Sequence, residues 1–149
     1  MKCQVFLACF CVGTLLGGRR VAASDQDNRE RVQQIYAKCM SEVQAEDKDL
    51  EGFRKMQIPD SDKGKCMMAC LMKEAGIIEN SKFSKEGAEK LAERYYGENV
   101  DDMNKARSII DNCDSFVSDE TEECNLATKL AFCVVEEAQK VGLSSVPGG

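Results

Sequence analysis

Cys66-Met67-Met68-Ala69-Cys70 is the stretch that decides how the rest of the chain is read. Two cysteines four apart on a helix project from one face, a turn apart. The residues between them are apolar and suit a helix interior. With both thiols oxidised, this one helix is tied at adjacent points to two other parts of the chain. A metal site is the rival reading of such a stretch. Cys-x-x-x-Cys is looser than the usual zinc spacing, and the chain has no histidine to complete a mixed site. No metal and no cofactor is therefore expected.

The compartment agrees with oxidised thiols. Lys2 is basic, Cys3 to Leu16 is almost wholly apolar, and Gly17-Gly18-Arg19-Arg20-Val21-Ala22-Ala23 follows. A charged start, a short apolar core and a small-residue end make a secretory signal peptide. The expected division is residues 1–23 as signal and 24–149 as one helical domain. Val21-x-Ala23 marks cleavage after Ala23, and the nearby arginines leave room for a shift of a residue or two. The apolar run is short for a bilayer span, and no second run is long enough.

Cleavage removes Cys3, Cys9 and Cys11 from the nine cysteines. Cys39, Cys66, Cys70, Cys113, Cys124 and Cys133 remain, an even number that implies three disulfides in a secreted chain. Lys2, Arg19 and Arg20 also leave, so 20 basic residues drop by three against 26 acidic ones, and the net charge moves from −6 to about −9. Nucleic acid and anionic membrane surfaces are poor partners for such a chain. A monomer or weak homodimer is expected. No Asn-x-Ser/Thr sequon occurs.

The mature chain reads as helices throughout. Val32, Ile35, Tyr36, Cys39, Met40 and Val43 form an apolar stripe on a first helix from Asp25 to about Glu46. A shorter helix is expected over Lys48 to Met56, ended by Ile58-Pro59. Ser61 or Asp60 caps the central helix, and Gly76 stops it. Ile77 and Ile78 read as an apolar pair in a loop. Ser84 caps a fourth helix, with Phe83 and Ala88 as a hydrophobic staple. A fifth starts near Asn99. The last spans about Thr121 to Lys140 and is apolar on nearly all sides around Leu130 to Val135, which predicts a buried central helix. Cys124 and Cys133, nine apart, fall on its opposite faces.

The six cysteines read Cys39-x26-Cys66-x3-Cys70-x42-Cys113-x10-Cys124-x8-Cys133. Six cysteines allow fifteen pairings, and spacing alone does not choose among them. The x3 and x8 intervals, the length, the signal peptide and the helical content together resemble the insect odorant-binding protein family, of the pheromone- and general-odorant-binding type. The resemblance covers the whole mature chain. It implies an all-α fold, a six-helix disulfide-linked domain enclosing an apolar cavity, with pairs Cys39–Cys70, Cys66–Cys124 and Cys113–Cys133. It also implies a pocket lined from several helices and closed by the tail after the sixth cysteine. The candidates are Met68, Leu71, Met72, Leu91, Tyr95, Met103, Ile110, Leu130, Val134 and Val146. Tyr95 alone among these carries a hydroxyl, for hydrogen bonding an alcohol, aldehyde or ester oxygen.

Enzyme chemistry has little to stand on. Without histidine there is no Ser-His or Cys-His pair. The carboxylate pairs Asp101-Asp102, Glu122-Glu123 and Glu136-Glu137 lie at helix starts and on polar faces. The methionines say more: Met67, Met68 and Met72, with Leu71, cover a wider arc of the central helix than one packing face needs, and methionine suits a cavity that takes variable shapes. A secreted carrier of small hydrophobic, volatile ligands in sensillum lymph or another body fluid, delivering to a chemosensory receptor, is the leading expectation. The alternatives are a helical, disulfide-tied protein acting through its surface, and a lipid or hormone carrier outside olfaction. Some pheromone-binding members of the family are associated with histidine-driven release on acidification; this chain lacks that trigger, so binding should depend weakly on pH between 7 and 6.

Overall fold

The computed structural model describes residues 20–55 and 57–143. The chain divides into two compact units, one ending at Gln34 and one beginning at Ile35. In the first, the backbone from Arg20 is helical, and Gln26 to Gln34 are all exposed. Val32 is among them, and Tyr36 in the second unit is exposed as well, so the covered part of the expected stripe is Ile35, Cys39, Met40 and Val43, with Cys39 alone fully buried. Met56, the tail from residue 144 and all but the end of the signal segment lie outside the described residues.

Six α-helices are found among the described residues: α1 (Arg20–Val43), α2 (Glu51–Arg54), α3 (Asp62–Glu74), α4 (Lys85–Tyr96), α5 (Val100–Val117) and α6 (Glu123–Val141). The starts are set by side chains that satisfy the free N–H groups of a first turn. Ser61 accepts from the Gly64 N–H, Ser84 from Gly87, Asn99 from Asp101 and Asp102, and Glu122 from Cys124 and Asn125. The stops at α3 and α6 are glycines in the left-handed region, Gly76 at φ 74° and Gly142 at φ 64°.

Two local expectations change. The helix expected over Lys48 to Met56 is a 3-10 turn at Asp47–Leu50 followed by the single-turn α2. The cause is Asp49, whose buried carboxylate accepts the Glu46 N–H at 2.8 Å and the Ser61 hydroxyl at 2.6 Å. It pulls the backbone tight at that point and joins this segment to the cap of α3. Ile78 is not in a loop but in β1 (Ile78–Glu79), paired antiparallel with β2 (Lys82–Phe83). Asn80 and Ser81, both at positive φ, make the tight turn whose twist matches such a hairpin. Ile78 points into the core, 2% exposed.

Three disulfides join these elements: Cys39–Cys70 links α1 to α3, Cys66–Cys124 links α3 to α6, and Cys113–Cys133 links α5 to α6. This is the pairing that the family resemblance implies. The two cysteines of α3 do reach two different helices. Helices α3 and α5 both pack along α6, while α4 packs on α5. The main core lies where α3, α5, α6 and β1 meet, around Met68, Ile78, Ile109, Cys113, Leu126 and Leu130. A second cluster gathers Cys39, Leu50, Met67 and Cys70. A third, Ala92, Met103, Ala106 and Ile110, lies between α4 and α5.

The expectation that α6 is buried all round is corrected. Phe132, Val134 and Val135 are exposed. Phe132 and Val135, three apart, form a solvent-facing side of the helix even though its sequence is apolar there, whereas Val134 lies on a different face.

Candidate functional site

The sequence candidates fall into separate regions of the interior. Met68 and Leu130 are buried in the main core, with Met72 packed at its edge. Leu71 packs against the Cys39–Cys70 cluster. Met103 and Ile110 are buried in the α4–α5 cluster. Leu91 is half-buried, and Tyr95 and Val134 are exposed. Val146 lies outside the described residues.

The position of Val134 is informative. Residues four and seven apart share a helix face. On α6, Ala127 and Leu130 lie on the face of Val134 and are 0% and 2% exposed, and Ala138 and Val141 beyond it are half-buried. Val134 sits in the middle of that inward stripe, yet it is 42% exposed. The packing of the stripe is interrupted at this one residue.

Helix α4 makes its extensive contacts with α5, whereas α6 takes most of its contacts from α3 and α5 and a few from β2. The apolar cluster under α4 is accordingly distinct from the main core, and Phe83 and Leu143 touch both. Leu91 and Tyr95 lie on one flank of α4, beside its buried Ala92.

Tyr96, which the sequence reading passed over, is the tyrosine packed into the α4–α5 cluster. It stands four residues after Ala92 and eight after Ala88, both of which face inward, and that spacing is the signal that could have found it. Burial and then the Asp102 carboxylate push its phenol above the usual tyrosine range. It stays a neutral hydrogen-bonding group.

Three carboxylates, Glu120, Glu123 and Glu137, are held in their charged form by their partners. Lys73 and the Ser81 hydroxyl keep Glu123 below the usual carboxylate range, which ties the start of α6 to α3 and to the hairpin turn. Lys129 does the same for Glu120, and Lys140 with Asn112 for Glu137. Among the described residues no three His, Cys, Asp or Glu side chains gather as a metal site. No helix among them is long and apolar enough to cross a membrane.

Residues 21–137 match the PBP/GOBP family. General odorant-binding protein 28a of Drosophila melanogaster is 33% identical over 131 residues, covering 87% of this chain and 91% of the relative. General odorant-binding protein 19d of the same fly is 26% identical over 134 residues, covering 89% of each. A solved structure of a Drosophila melanogaster odorant-binding protein superposes with a TM-score of 0.66 at 31% identity, over 79% of this chain and 98% of its own.

Proposed function

The chain belongs to the PBP/GOBP family, and from that premise we propose that it is a secreted, non-enzymatic carrier of small hydrophobic, volatile compounds. The ligand lies inside the domain, between the α4–α5 cluster and the inward face of α6, with α3 closing one side. The observation that carries this reading is Val134. A half-exposed valine in the middle of an otherwise buried stripe is what an apolar cavity open to solvent would leave, since water or ligand takes the place of a packing neighbour.

The candidates fit that placement by chemistry. Met68 and Met72 on α3, Met103 and Ile110 on α5, and Leu130 and Val134 on α6 supply flexible and branched apolar walls, while Leu71, packed against the Cys39–Cys70 cluster, stands apart from them. Leu91 and Tyr95 flank the gap from α4. Tyr95 or Tyr96 provides the hydroxyl that selects oxygenated ligands. An unpaired buried polar group costs about 1–3 kcal/mol, enough to discriminate between an alcohol and a hydrocarbon. The carrier moves its cargo through an aqueous secretion towards a chemosensory receptor.

The test is titration of the oxidised protein with an environment-sensitive apolar fluorophore, then displacement by a panel of odorants and fatty acids. Saturable one-to-one binding with Kd of about micromolar order, reversed by some of the panel, is expected. Absence of saturable binding in a helical protein with all three disulfides intact would mean a filled core, and the function would then lie on the surface.

A further inference from the structure

The three disulfides differ in what covers them. Cys39 and Cys70 are 0% and 8% exposed, and both belong to the second apolar cluster. Cys113 and Cys133 are 0% and 7% exposed, inside the main core. Cys66 and Cys124 are both half-buried. Cys124 packs at the edge of the main core, and Cys66 belongs to none of the three clusters. Thiol–disulfide exchange needs a thiolate to reach a sulfur atom, so access decides which bridge reacts, and cysteines buried in apolar surroundings are inert.

Charge separates the bridges in the same direction, because an incoming thiolate is an anion. The Cys70 sulfur lies 3.4 Å from the Glu42 carboxylate, which repels a second negative charge. The carboxylates beside Cys124 are engaged elsewhere. Glu122 accepts the Cys124 and Asn125 N–H groups that open α6. Glu123 is held by the Lys73 ammonium at 2.8 Å and by the Ser81 hydroxyl at 2.9 Å.

We propose that Cys66–Cys124 is a thiol-exchange site, the one bridge that a low-molecular-weight thiol opens while the other two stay closed. The thiolate attacks one sulfur, the S–S bond breaks, and the other cysteine leaves and takes up the proton that the thiol gave up. A second thiol then displaces the first from the mixed disulfide. The cysteine pair is thereby reduced, and the two thiols are oxidised to their own disulfide. Cys39–Cys70 still holds α3 to α1, and Cys113–Cys133 still holds α6 to α5. The apolar core between α3 and α6 is untouched, so the fold survives with one tie released. These two helices bound the interior site proposed above, and opening the bridge loosens its grip on a ligand. That consequence rests on the carrier reading, whereas the order of reduction does not.

The experiment treats the folded, oxidised chain with glutathione in steps, alkylates free thiols with iodoacetamide and maps them by peptide mass spectrometry. Alkylation at Cys66 and Cys124 should run about tenfold or more ahead of the other four cysteines, with the helical circular dichroism retained. Fluorophore affinity of the singly opened, alkylated protein and of Cys66→Ser/Cys124→Ser should then fall about threefold, well short of a lost site. Labelling of all six cysteines together, or of another pair first, would overturn the exchange site whatever the ligand result. Selective labelling with unchanged affinity would uphold the site and overturn its effect on the ligand. An untreated protein that binds no fluorophore would instead overturn the carrier reading, with the labelling order still deciding the exchange site. That order is read on the native chain, so a variant that fails to fold does not blur it.

Discussion

Gly87 shows how much a single atom decides at the start of α4. A Cβ there would meet the Gly76 carbonyl oxygen at 1.7 Å and its carbon at 2.6 Å. Both are backbone atoms that cannot swing aside. Gly87→Ala should lower stability by about 3 kcal/mol, the upper end of overpacking costs, measurable by urea unfolding. Asp49 is a second such point. Its carboxyl is held below its ordinary value of 3.8, first by the Glu46 N–H and then by the Ser61 hydroxyl. The unfolded chain therefore takes up the proton first as pH falls. The contribution of Asp49 is fully present above about pH 4 and is lost as pH drops through its folded value. Stability of the native chain should fall more steeply between pH 5 and pH 2 than that of Asp49→Asn, which has no charge to lose; parallel acid limbs would refute this. The cap Ser84 was legible in the sequence because a cap acts within three residues; for α3 the sequence left Ser61 and Asp60 as alternatives, and for α5 it marked Asn99 only as the start of the helix. The role of Asp49 was not legible, since its partner Ser61 is twelve residues away.

At the scale of elements, the disulfides carry unequal weight. Cys66–Cys124 closes a separation of 58 residues, and Cys113–Cys133 one of 20. In the chain-entropy picture these contribute about 4 and about 3 kcal/mol. Replacing both members of the α3–α6 pair with serine should cost the more of the two in a denaturant titration. The inward stripe of α6 gives a sharper test of the interior site. Val134→Phe should fill the proposed space and weaken fluorophore binding about tenfold, the factor that about 1.4 kcal/mol represents, with little change in thermal stability. A valine that merely faces solvent would tolerate the change with no effect on binding. The hairpin was hidden from periodicity because a two-residue strand is too short to alternate. Likewise the apolar sequence of α6 stated its hydrophobicity but not how many neighbours would come to cover it.

For the whole molecule, the pH response follows from what titrates. The chain has no histidine, and the carboxylates Asp49, Glu86, Glu120, Glu123 and Glu137 are all held low by their partners. A lowered carboxylate keeps its charge until the pH falls beneath its ordinary range, so none of these groups changes state between pH 7 and pH 6. Fluorophore affinity measured at those two values should agree within about twofold, whereas a tenfold loss would require a titrating group outside this set.

The cysteine intervals, the caps and the 3.6-residue stripes are local or one-dimensional quantities. From them the sequence alone established a helical, disulfide-tied chain and pointed to its family. Even the pairing of the cysteines needed that family likeness, because spacing is blind to which helices meet. Packing settled the rest. Helix α6 leaves Phe132 and Val135 to solvent, α4 keeps its own cluster on α5, and Tyr96 rather than Tyr95 joins that cluster. Each of these depends on contacts between residues distant in the chain, and a pattern along the chain records that a face is apolar without recording what covers it.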